Sequence, residues 1–173
     1  MIDEQGRESP PLSGREDETL LAYLDWQRAT FAWKTGGLAA AGLAKALPPS
    51  TLTLGGLVKH AALNEDWWFS HRFAGLEQQE PWRSVDFDAD PEWEFRTAAD
   101  DSPEELRLIW EENVTRSRAA VAGKAMDATS VRPTRRGDLF SLRWVVLHMI
   151  EEYARHLGHA DFLRENVDGL VGE

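Results

Sequence analysis

The stretch Ser141-LRWVVLHMIEEYARHLGHADFLRE-Asn166 decides the fold. At about 100° of rotation per residue, Leu142, Val145, Val146, Met149, Tyr153, Leu157, Ala160 and Leu163 gather on one arc roughly a third of the wheel wide. An apolar stripe this regular predicts a long amphipathic helix that must bury one face against partners. Two polar residues intrude on it. Glu152 falls at the margin of the arc and His156 just inside it, one turn apart and directed at the interior. His148 and His159 fall on the polar side, with Glu151 and Arg155 further out.

Upstream of this helix, Pro133 and the basic Arg135-Arg136 mark a loop. Before that loop, Ser102 suits an N-cap, Pro103 the first helical position and Glu105 the return bond of a capping box. They predict a helix through Leu106, Ile109, Trp110 and Val114 to Gly123. A second helix is expected from about Thr53 to Phe73, closing at Gly75, and a first from Glu16 to Gly36-Gly37. Pro48-Pro49 is a firm break between those two. Residues 76–101, with Pro81, Trp82, Pro91, Trp93 and Phe95 among acidic side chains, read as a long irregular connection whose aromatics make it a packed cover. Four amphipathic helices without strand-type alternation predict an all-α four-helix bundle with that connection between helices two and three. Residues 1–15 are expected to be a mobile leader, and 16–173 a single domain.

Composition narrows the partners. A net charge of −11 disfavours nucleic acid and anionic membrane surfaces. No apolar run is long enough to span a bilayer, and the first residues lack the pattern of a secretory signal, so a cytoplasmic location is expected. A small-molecule substrate is the expected partner, with a homodimer as a further expectation. The chain contains no cysteine, so any metal site must be built from His, Asp and Glu.

Glu152 and His156 can reach one ion, since a buried carboxylate needs a partner or a metal. The competing reading is a Glu–His hydrogen bond at the rim with no metal. The second helix carries His60, Asn64 and His71. His60 lies one turn from Leu57 and ahead of Trp67-Trp68, whereas His71 reads as a surface residue near the helix end. Asp86, Asp88, Asp90 and Glu92 resemble the opening of a calcium loop, but Pro91 stands where the sharp-turn glycine belongs. Gly55-Gly56 lacks the Lys-Ser/Thr pair of a phosphate loop. Arg135 and Arg136, with Arg132, can meet an acidic group of a substrate or cofactor; the blander reading is a solvated loop.

The Ser141–Asn166 stretch, LVKHAALNEDWWF (residues 57–69) and DPEWEFR (residues 90–96) together resemble the DinB-like superfamily. The similarity is to its branch of mycothiol-dependent metalloenzymes with a maleylpyruvate isomerase-like metal-binding domain. It covers nearly the whole chain after residue 15. It implies a DinB-like four-helix bundle holding one divalent ion, zinc or nickel, on His60, Glu152 and His156. Many relatives have His at both positions of the last helix; here the first is Glu152. Three ligands leave a coordination position open, where a low-molecular-weight thiol such as mycothiol can be activated against a small electrophile. The resemblance thus implies a thiol-dependent transferase or isomerase. A metal-binding stress or interaction protein without turnover, and a metal-hydroxide hydrolase, are the alternatives. No catalytic side chain beyond the ligands is singled out.

Overall fold

A computed structural model describes residues 2–172. Four long helices carry the architecture. They are α1 (Glu16–Thr35), α3 (Leu54–Glu65), α5 (Pro103–Val121) and α6 (Leu142–Asp168), with short helices α2 (Ala40–Leu43) and α4 (Trp93–Thr97) in the connections. Helix α1 packs on α6 and α3 on α5, while α3 also meets α6. The chain is all-α among the described residues, as the periodicity predicts.

Local chemistry explains the boundaries. Ser102 Oγ accepts from Glu105 N, and Glu105 Oε2 accepts from Ser102 N at 2.8 Å, the expected capping box. Ser141 Oγ caps α6 through Trp144 N, and Thr53 Oγ1 caps α3 through Gly56 N. Helix α6 runs to Asp168 and ends at Gly169, whose left-handed φ of 78° terminates it.

The second helix departs from expectation in its second half. From Asp66 to Phe73 it widens into i→i+5 turns. A π segment advances less rotation per residue than an α-helix, so side chains after Glu65 lag behind the stripe that continuous α geometry assigns them. His71 is carried off the His60–Asn64 line. Its Nδ1 lies 3.1 Å from Leu76 O and its ring stacks on Trp67.

Every predicted stripe residue of α6 is buried, from Leu142 and Val145 to Ala160 and Leu163. A buried polar network crosses this core. Arg28 of α1 donates from Nε and Nη2 to both oxygens of Glu65 (2.8 and 2.7 Å), and Tyr153 of α6 donates to Glu65 Oε1 (2.8 Å). Trp110 Nε1 of α5 donates to Tyr153 Oη at 2.9 Å, and Ser117 Oγ to the Glu65 carbonyl. Glu65 thus ties all four long helices, α1 and α6 through its carboxylate and α5 through its backbone carbonyl.

Within the segment expected to be a mobile leader, Arg7 is buried. Its guanidinium lies over the Trp26 and Trp33 rings and donates to Thr30 Oγ1. The expected cover, residues 76–101, is partly helical through α4 and packs Trp82 into the core.

Candidate metal centre

Helices α3 and α6 bring His60, Glu152 and His156 together. One donor atom from each lies within 4.8 Å of the others. Glu152 Oε2 is 3.7 Å from His60 Nε2 and 3.5 Å from His156 Nε2. All three side chains are about four-fifths buried, with 16–19% exposure. The i,i+4 spacing puts Glu152 and His156 on one stripe, and the α3–α6 contact adds His60 from the facing helix.

His60 is held on three sides. Its Nδ1 lies 2.9 Å from Oε1 of Glu94 in α4, its ring stacks on Phe95 at 4.8 Å between centroids, and Asn64 Nδ2 lies 3.0 Å from its Nε2. Carboxylates only accept, so in neutral His60 the proton sits on Nδ1 and the Nε2 lone pair turns towards Glu152 and His156. Asn64 Nδ2 also donates to Glu152 Oε2 at 3.3 Å. The amide therefore bridges the two lone pairs that a cation would need.

The electrostatics follow from this crowding. Burial opposes protonation of His60, but Glu152 and Glu94 outweigh it and raise the imidazole above its ordinary value. The neighbouring His156 and then His60 imidazoles outweigh the burial of Glu152 and hold it well below the usual carboxylate range. Glu152 is thus an anion at neutral pH, while Glu94 Oε2 is buried without a hydrogen-bond partner.

These donors fit a divalent ion. Two imidazoles and one carboxylate, with no thiolate, suit zinc or nickel and leave an open position of the kind reaction sites use. A second group, His148, Glu151 and Glu152, also has donor atoms within 4.8 Å of one another. It fits less well, because all three sit on one helix and Glu151 is 56% exposed and paired with Arg155 at 2.7 Å. His148 is nonetheless no simple surface residue: its ring stacks on Trp144 and meets Trp68 edge-on, forming an aromatic wall beside Glu152. His159 is exposed, as the wheel predicts, with Nδ1 3.4 Å from His156 Nδ1; burial and then the neighbouring His156 and Arg155 lower its basicity.

The structure does not join Arg135 and Arg136 to this cluster. Both are exposed, and Arg135 pairs with Asp88 at 3.4 Å. Arg132 instead donates to the carbonyls of His71 and Gly75, bracing the end of the π segment. The residues that sequence reasoning missed are Glu94 and the bridging role of Asn64. Asn64 lies on the His60 stripe, which was the available signal. Glu94 offers none, since a five-residue helix has too little periodicity to mark an inward face.

Gly55-Gly56 also acquires a meaning. A Cβ at Gly56 would meet Phe95 Cδ1 at 3.0 Å, and one at Gly55 would meet Leu106 and the Leu43 carbonyl at 3.3 Å. The missing side chains let α3 approach α4, α5 and α2 closely, which brings Glu94 within reach of His60.

No curated protein matches the chain. A family model described as mycothiol S-transferase matches residues 19–169, a span that takes in α3, α5, α6, all but the first turn of α1, and His60, Glu94, Glu152 and His156. With a DinB-like all-helical bundle and a match over most of its length, this chain belongs to the mycothiol S-transferase family.

Proposed function

We propose that this protein is a divalent-metal-dependent transferase that joins the sulfur of mycothiol, or a similar small thiol, to a small electrophilic molecule. The observation that carries the reading is the His60–Glu152–His156 cluster inside a cysteine-free chain of this family. A zinc or nickel ion held by these three residues would supply a Lewis acid able to lower the pKa of a sulfhydryl group into the neutral range.

The chain's own residues do the rest. His60 and His156 present Nε2 atoms from facing helices, and Glu152 adds the one negative charge. That leaves a net positive centre for an incoming anion. Trp68, Trp144 and His148 form a wall beside Glu152 that favours an apolar or aromatic substrate face. In the transfer, a sulfur–carbon bond forms at the electrophilic carbon, the bond to the displaced group breaks with its electron pair going to that group, and the thiol's proton ends, in the net reaction, on the displaced group. Where the same thiol adds and is later expelled, the net result is isomerisation. Arg135 and Arg136 are left as outlying candidates for an acidic substrate group.

The test uses cobalt-substituted protein titrated with mycothiol. A sulfur-to-metal charge-transfer band is expected, and the chain has no cysteine to produce it internally. Conjugate formation with an electrophile panel, followed by mass spectrometry, then reads the transfer. Bound cobalt with no thiol band removes the transferase reading, and hydrolysis or non-catalytic metal binding takes its place.

A further inference from the structure

Glu94 is one of the most deeply buried carboxylates of the molecule, at 3% exposure, yet only half of it is partnered. Its Oε1 accepts a hydrogen bond from His60 Nδ1 at 2.9 Å, and its Oε2 has no hydrogen-bond partner. Burying a half-satisfied carboxylate costs stability. A structural bond alone gives a poor return for that cost: a glutamine would hold the same ring with no buried charge. The surroundings are also built around this contact. Gly56 lacks the side chain that would push on Phe95, and Phe95 in turn stacks on the His60 ring.

From this geometry we infer that Glu94 is a positioning residue for the metal centre: its carboxylate accepts from His60 Nδ1–H, leaves Nε2 as the donor atom, and gives that atom more donor strength than the neutral amide of a glutamine would. This inference rests on the metal-site reading above. A carboxylate behind a ligating imidazole raises its donor strength and removes its rotational freedom, and loss of such a partner typically lowers metal affinity by 10–100-fold. The short helix α4 in the long connection is then the second layer of the site, and Gly56 sets its distance.

The experiment is zinc affinity by competition with a chromophoric chelator, with the thermal midpoint of the metal-free proteins measured alongside. Glu94→Gln is expected to bind zinc about 10–100-fold more weakly, while its metal-free midpoint stays level or rises because a buried charge is gone. Gly56→Ala, which displaces Phe95 while leaving every charge in place, is expected to weaken zinc in the same direction. Combined with Glu94→Gln it should add less than its single effect, since both act through one contact. Zinc affinity in Glu94→Gln equal to wild type overturns the inference and leaves the metal site standing. A metal-free Glu94→Gln that loses its fold also overturns it, because the role is then structural. Wild-type protein that binds no zinc overturns the metal-site reading, and this inference with it.

Discussion

Two polar clusters sit on the same pair of helices, and consecutive residues divide between them. On α3, Asn64 enters the candidate site and Glu65 the buried network; on α6, Glu152 enters the site and Tyr153 the network. A rotation of about 100° separates each pair. In the network around Glu65, both oxygens accept hydrogen bonds, a guanidinium neutralises the charge, and the carboxylate is fully buried. In the site, acceptors crowd one another: Glu152 Oε2 and two imidazole Nε2 atoms converge, and no Arg or Lys is among their ion-pair partners. A closed set of donors and acceptors holds a fold together. A convergence of lone pairs is an arrangement for a cation.

The largest effect should come from breaking the closed cluster. Glu65→Ala leaves the Arg28 guanidinium buried without its main partner, and removing one half of a buried ion pair costs about 3–5 kcal/mol. At about 2–4 °C per kcal/mol for a domain of this size, the thermal midpoint should fall by about 6–20 °C. Glu152→Gln in metal-free protein should cost far less, because no guanidinium or ammonium is among the Glu152 partners to be left buried and unpaired. Urea unfolding of the two variants side by side checks the contrast. Equal losses would show that both clusters are structural.

Metal should then narrow the gap between the two clusters. An ion that binds only the folded chain stabilises by mass action, about 2.7 kcal/mol at one hundred times its dissociation constant. Wild-type protein should lose about 5–10 °C of midpoint on chelation and regain it with zinc. His156→Ala, lacking a ligand, should show no chelator effect. A chelator shift that survives in His156→Ala would place the stabilising ion elsewhere.

How much of this was legible in sequence depended on periodicity. The α6 stripe repeats over many turns, so one wheel assigned the buried face of that helix and placed Glu152 and His156 at its edge. The capping box of α5 was readable because its bonds are local. The buried network was not, because Arg28, Glu65 and Trp110 are far apart in sequence and a charged residue on a helix reads as surface until its partner is found. Arg28 and Arg164 lie buried for that reason, one on Glu65 and the other on the carbonyls of Lys34 and Gly36. The π segment was invisible too, since nothing in DWWFSHRF (residues 66–73) breaks an α pattern. The family resemblance supplied His60, which spacing could not have joined to α6.

A milder cut sharpens the same contrast. Trp110→Phe removes the indole donor to Tyr153 while keeping most of the packing, so about 1 kcal/mol of stability should go. Zinc affinity should not change, because Tyr153 Oη still donates to Glu65 and the Glu152 side of the helix is untouched. A fall in zinc affinity in this variant would mean that the two clusters are coupled through α6.

The smallest expected effect discriminates most finely, because two histidines compete for a place beside Glu152. His148 lies one turn before it and His156 one turn after, and both belong to groups whose donor atoms are within 4.8 Å of one another. The ion should choose the side that offers donors from two helices. There His60 is already held at Nδ1 by Glu94, whereas on the other side Glu151 is committed to Arg155. His148 is also pinned by aromatic contacts with Trp68 and Trp144, which hold its ring in the wall. His148→Ala should therefore keep one zinc per chain by elemental analysis, and His159→Ala should do the same, since His159 touches the site only through His156 Nδ1. If His148→Ala empties the protein of zinc while His156→Ala keeps it, the ion belongs to the one-helix group. The aromatic wall would then be the lining of the metal centre itself.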